Sequence, residues 1–262
     1  FAVVTNGLTG PTPIISYSLL NETIAGTVPN MDLQAVAVSP NGNGLVLAAE
    51  VLSDVIRILT IDHTGNLTDS GITVATGGLD PINITFHPTG NFAFVPNLSS
   101  SDLSVFDTAG PTTLLATIPT NTNPQTIVVT RDGNTVFVLT DSTVDVFTFT
   151  PSAPFLTPAF SFPHGLPLNT IFFGVEIMAL DATQTKLFIS SVNSNTLAAF
   201  TTDGTPLGTV PGVVAEGGVA TCLPQPPTII CHDDITVFND LGRNGAFVNF
   251  PDPTVTGGVH PI

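Results

Sequence analysis

What most constrains this chain is a four-strand phrase that returns from one end of it to the other. In its clearest copy Asp80-Pro81 opens a run where Ile82, Ile84 and Phe86 alternate with Asn83 and Thr85, the period of a strand with two unlike faces. His87-Pro88-Thr89-Gly90 then turns the chain, and Phe92 and Phe94 open a second run that ends at Pro96-Asn97. Residues 103–107 and 114–118 read as third and fourth strands, and the phrase restarts at Asn123-Pro124. Second strands begin at Phe1, Leu45, Phe92, Val136, Leu187 and Ile229, so the phrase recurs every ~40 to 50 residues, the period of a propeller blade.

The expectation is an all-β chain: a β-propeller of six four-stranded units forming a single domain over 1–262, or a seven-bladed one if the chain is part of a longer polypeptide. No segment carries helical periodicity over a useful length, and a sandwich explains alternating strands but not the recurring phrase. In the first unit 1–6, 14–19 and 23–28 match second, third and fourth strands, without an inner strand ahead of them. The last residues, His260-Pro261-Ile262, align with Asp80-Pro81-Ile82, where an inner strand begins. Two sources for the missing strand are expected: further sequence of the same polypeptide, or a neighbouring subunit donating it in a self-assembling homo-oligomer.

Only four Lys and Arg residues stand against 20 Asp and Glu, a formal charge of -16. Nucleic acid is therefore excluded as a partner, and phosphate clamping and anionic lipid are disfavoured. Other protein chains and neutral or cationic small molecules suit such a surface. Mean hydropathy is +0.43, yet Gly, Pro, Thr and Asn interrupt every apolar run well short of the ~20 residues of a membrane helix, so the chain is not expected to span a membrane. A surface polar through Thr, Ser and Asn suits an extracellular or cell-surface setting. Phe1 to Asn6 reads as a strand and not as a leader.

Cys222 and Cys231 flank Gln225-Pro226-Pro227-Thr228 symmetrically, which sets them opposite one another in a hairpin. A disulfide fits that geometry, two reduced thiols being the alternative. Asn21, Asn66 and Asn97 head glycosylation sequons in expected turns, whereas Asn83 heads one inside a strand.

Through Phe1-Ala2-Val3-Val4-Thr5-Asn6, Phe92-Ala93-Phe94-Val95-Pro96-Asn97 and His87-Pro88-Thr89-Gly90, the chain resembles the YVTN-repeat β-propellers. That family includes surface-layer propellers and seven-bladed lactonase-like enzymes. The resemblance implies the propeller strongly and the chemistry weakly: the enzymatic members use acidic and basic groups over the channel, and basic groups are few in this chain.

In a propeller the inner strands line the channel, and the loops leading into them form a mouth. Alignment of the units puts Asp32, Asp80, Asn123 and His260 at equivalent leading positions, with Gln34, Gln125 and Glu176 one step inside and Glu216 nearby. Such a ring offers carboxylate and amide oxygens to a cation such as calcium, or a carboxylate–histidine pair for acid–base work. Asp and Asn ahead of Pro are also ordinary turn formers. Two functions follow: a structural or binding module able to self-assemble, favoured by the shortage of basic groups, and a lactonase-like hydrolase with its site at the channel mouth.

Overall fold

The computed structural model describes residues 2–4, 12–31, 33–168, 177–191, 193–213, 228–230 and 254–256. Contacts divide the chain into two compact units, Phe1–Thr221 and Cys222–Ile262. In the first unit the chain forms five successive antiparallel sheets. Three strands make the first sheet: β1 (Ala2–Val4), β2 (Thr12–Ser18) and β3 (Thr23–Met31). The second holds β4 (Ala35–Val38), β5 (Leu45–Glu50), β6 (Val55–Ile61) and β7 (Leu67–Ala75), and the third β8 (Thr85–Phe86), β9 (Phe92–Asn97), β10 (Asp102–Asp107) and β11 (Thr113–Pro119). The fourth holds β12 (Thr126–Val129), β13 (Thr135–Leu139), β14 (Thr143–Phe149) and β15 (Leu156–Pro163), and the fifth β16 (Ile177–Leu180), β17 (Lys186–Ser191), β18 (Thr196–Thr201) and β19 (Pro206–Pro211).

Each sheet keeps its strands side by side in chain order, and the fold is the all-β propeller that the repeat predicts. Among the described residues there is no α-helix, only one 3-10 turn at Val51–Ser53. In the second unit β20 (Thr228–Ile230) pairs with β21 (Thr254–Thr256). Thr254-Val255-Thr256 is a β-branched triplet matched against Thr228-Ile229-Ile230, and such side chains suit a pleated pair. Against the expected six four-stranded units, the described residues form four four-stranded sheets, one three-stranded sheet and one two-stranded pair.

The hydrophobic cores lie between blades, not within them. Along β13, Val136 and Val138 face a core shared with the third blade, while Phe137 and Leu139 face a core shared with the fifth. Likewise Phe94 on β9 packs toward the fourth blade, and Ala93 and Val95 pack toward the second. These side chains are almost fully buried, and each large one stabilises the fold by roughly 1.5–3 kcal/mol. A propeller strand therefore reads as a nearly unbroken apolar run, as Phe92–Pro96 and Val136–Leu139 do.

On one face of the first unit the hairpins joining inner to second strands touch in sequence. Asn41 Nδ2 donates to the Gly90 carbonyl at 3.3 Å, the His87 ring lies against Gly133, and the Arg131 N–H donates to Gln184 Oε1 at 2.7 Å. Gly90 and Gly133 close their turns at positive φ, 71° and 79°, directly under the neighbour's side chain. A Cβ at Gly133 would overlap the His87 ring and strain the backbone as well. Gly133→Ala should therefore destabilise the protein by roughly 1–3 kcal/mol, read as a lowered urea midpoint with an unchanged slope.

In the same row, Asp181 Oδ1 accepts from the N–H groups of Thr185 at 2.7 Å and Lys186 at 2.8 Å, and the Thr183 hydroxyl donates to Oδ2. Burial would raise its pKa, but the hydrogen bonds from Thr183, Lys186 and Thr185 outweigh that and hold it at about 2. A folded-state pKa below the unfolded value of ~3.9 gives stability that is present above pH ~4 and lost as the pH falls toward 2. Asp181→Asn should show a smaller drop in Tm than the parent over that window.

Candidate functional site

Antiparallel order fixes which loops share an end. The crossovers between blades and the hairpins joining second to third strands all lie opposite the glycine turns. Asp80 and Asn123, expected at equivalent leading positions, occupy equivalent slots there. Both adopt left-handed backbone, φ 58° and 54°, which Asp and Asn tolerate better than most residues. Each ties the blade behind to the blade ahead. The Asp80 N–H donates to Asp54 Oδ1 at 2.8 Å, and its carboxylate accepts from the Ser99 hydroxyl. The Asn123 N–H donates to Ser101 Oγ at 3.2 Å, and its Nδ2 donates to Asp141 Oδ2 at 2.7 Å.

Their turn-forming role is therefore built into this rim, and it brings in partners that the alignment did not single out. Asp54 and Ser101 also sit at positive φ, 55° and 56°, in the hairpins after β5 and β9, and their carbonyls accept from Thr76 and Thr120 N–H groups at 3.0 and 3.1 Å. Asp141 follows β13 and is held from two sides, since Gln125 Nε2 donates to its Oδ1 at 3.4 Å. The signal for these residues was positional: each falls just after a second strand, opposite the leading residue of a blade. Asp32, Glu176, Glu216, His260, Cys222 and Cys231 lie outside the described residues. Among the described residues no group of three or more His, Cys, Asp and Glu gathers as a metal would require.

Asn21 and Asn66 are exposed, as a glycan acceptor must be. Asn97 is not. It is fully buried, and its Nδ2 donates to Asp102 Oδ1 at 2.6 Å and Ser104 Oγ at 2.7 Å, so the folded chain presents no free amide there. The turn reading of Asn97 failed because its side chain turns inward at the end of β9.

His164, in the crossover between the fourth and fifth blades, is the imidazole nearest this rim among the described residues. Its Nδ1 accepts from the Leu166 N–H at 3.1 Å, which leaves the ring proton on Nε2 to donate to the Thr140 carbonyl at 3.1 Å. Both nitrogens are occupied, so the ring is a brace and not a free base. Burial pushes its pKa down, against the opposing pull of Thr140 and Asp141. Below the unfolded value of ~6.5 the unfolded chain takes up a proton that the folded ring resists, so stability falls as the pH drops through that value. Replacing His164 with Gln should flatten the Tm profile between pH ~7 and ~5, apart from any part carried by His87, whose pKa burial also lowers.

Comparison with known proteins gives this arrangement its relatives. Residues 12–131 match the family described as Lactonase, 7-bladed beta-propeller. Among solved structures, a functionally unknown protein from Desulfotomaculum acetoxidans is 45% identical, with a TM-score of 0.80 over 85% of this chain and 72% of that one. The periplasmic gluconolactonase of Pseudomonas aeruginosa, PpgL, is 17% identical with a TM-score of 0.64, over 77% of this chain and 64% of its own. The Cps50 (Swd1) β-propeller domain of Myceliophteria thermophila is 14% identical with a TM-score of 0.62, over 80% and 70%. The last two share the fold alone. No curated protein matches the chain. At the identity and coverage of the first structure, this chain belongs to the same β-propeller family as the Desulfotomaculum acetoxidans protein, with a lactonase-type match at residues 12–131.

Proposed function

We propose that the protein is a lactonase-like hydrolase whose site is the rim built by the crossovers and the hairpins that face them. The observation that carries this reading is the lactonase-type match over residues 12–131, which spans the second and third blades and their half of the rim. Likeness to the Pseudomonas aeruginosa gluconolactonase supports it. It reverses the preference drawn from composition, where the shortage of basic groups favoured a binding module; ester hydrolysis of a lactone ring asks for a carboxylate and amide donors, not for a cation.

Asp141 is the best-placed carboxylate. Asn123 and Gln125 orient it, and it is half-buried. As general base it takes a proton from water as the water oxygen attacks the lactone carbonyl. The second N–H of Asn123 Nδ2 is available to the developing oxyanion, and the acquired proton passes from Asp141 to the ring oxygen as the acyl C–O bond breaks. Hydrolysis of glucono-1,5-lactone by the purified chain, followed in a pH-stat above the spontaneous rate, is the expected result. Asp141→Asn should lower kcat/KM by about 10²-fold or more with little change in Tm. Inactivity toward lactones of every ring size would return the reading to the binding module.

A further inference from the structure

The four basic residues of the chain carry a second conclusion, which rests on the lactonase reading. Arg131 lies in the hairpin between β12 and β13, and Lys186 begins β17, so both sit on the glycine-turn face, at the far end of their blades from the crossovers. Arg57 points to the rim end of β6 but is closed off: its Nε donates to Glu50 Oε1 and its Nη1 to Asp69 Oδ2, the latter at 3.2 Å. Arg243 lies outside the described residues. Around the rim itself stand Asp54, Asp80 and Asp141, with Ser99, Ser101, Asn123 and Gln125 between them. Every described cation is thus either on the opposite face or held by two carboxylates.

We infer that the rim selects lactones by charge, taking neutral, hydroxyl-bearing rings and rejecting phosphorylated ones. A phosphoryl group is recognised by Arg or Lys, or by a row of converging N–H donors at a helix N-terminus. The described rim has neither. Its carboxylates repel a dianion, while hydroxyl groups of a neutral sugar ring find acceptors in those carboxylates and donors in the Asn and Gln amides.

The test compares glucono-1,5-lactone with its 6-phosphate on the full chain. At low salt kcat/KM for the phosphorylated ring should be lower by about 10-fold or more. Raising ionic strength from about 0.01 to about 1 M shortens the screening length from about 30 to about 3 Å, and should narrow the gap by improving the phosphorylated substrate alone. Asp80→Asn, which keeps a residue suited to left-handed backbone and an oxygen for Ser99, should narrow it at low salt too. Equal or better turnover of the phosphorylated ring at low salt overturns charge selection and leaves the lactonase reading standing. A gap indifferent to both salt and Asp80→Asn likewise overturns it. Turnover of neither ring overturns this inference, and inactivity toward lactones of every other ring size as well removes the lactonase reading with it.

Discussion

The first unit depends on a polar hook that recurs where its third, fourth and fifth blades receive the chain from the one before. In the third blade Ser104 Oγ donates to the Thr76 carbonyl at 2.6 Å. In the fourth, Asp145 accepts from the Asn121 N–H at 2.7 Å and its Nδ2 at 2.6 Å; in the fifth, Ser191 Oγ donates to the Pro167 carbonyl at 2.6 Å. In each case the group held is backbone beyond the previous outer strand, joined in the fourth blade by the Asn121 side-chain amide. At Thr76, which is fully buried, an unpaired carbonyl would cost about 1–3 kcal/mol. The hook removes that cost and fixes the direction in which the crossover leaves, so the rim residues arrive in their slots.

Seen this way, the two faces of the first unit solve one problem by opposite means. At the glycine turns, neighbouring blades are brought together by removing side chains, as at Gly90 and Gly133. At the crossover face they are joined by adding polar ones: Asp54 to Asp80, Ser101 to Asn123. The second blade departs most from the neutral version of the hook, because its third strand carries Arg57 where the third blade has Ser104, balanced by Glu50 and Asp69. A half-buried ion triad substitutes there for a hydroxyl, and it consumes one of the chain's few cations.

Much of this was legible beforehand. Strand positions followed from paired apolar runs and, in the second to fourth blades, from turns that end on Gly42, Gly90 and Gly133, which close at positive φ. The slots of Asp80 and Asn123 followed from the same alignment. Asp141 and Asp54 did not, since a hairpin residue that braces a neighbouring blade looks in sequence like any other turn former. Asn97 misled for a related reason: the end of a strand and the start of a turn carry the same composition, and only packing decides that its amide turns inward to Ser104. The pairing of Thr254–Thr256 with Thr228–Ile230 is not legible locally, because the two stretches lie more than twenty residues apart, beyond the reach of a local pattern.

Because alternate residues of β9 and β13 serve two different cores, a slip of one residue along such a strand would exchange left-hand and right-hand neighbours without exposing anything apolar to water. Polarity then supplies little penalty for the error, unlike in a sheet with one wet face. Register must be enforced by what cannot slide: glycines that only fit beneath one neighbour, left-handed residues fixed in their hairpins, and hooks that reach a single carbonyl or N–H. The scattered Ser, Thr, Asn and Gly of this chain are, in that sense, its indexing marks, and they leave the apolar positions between them free to trade volume with the blade next door.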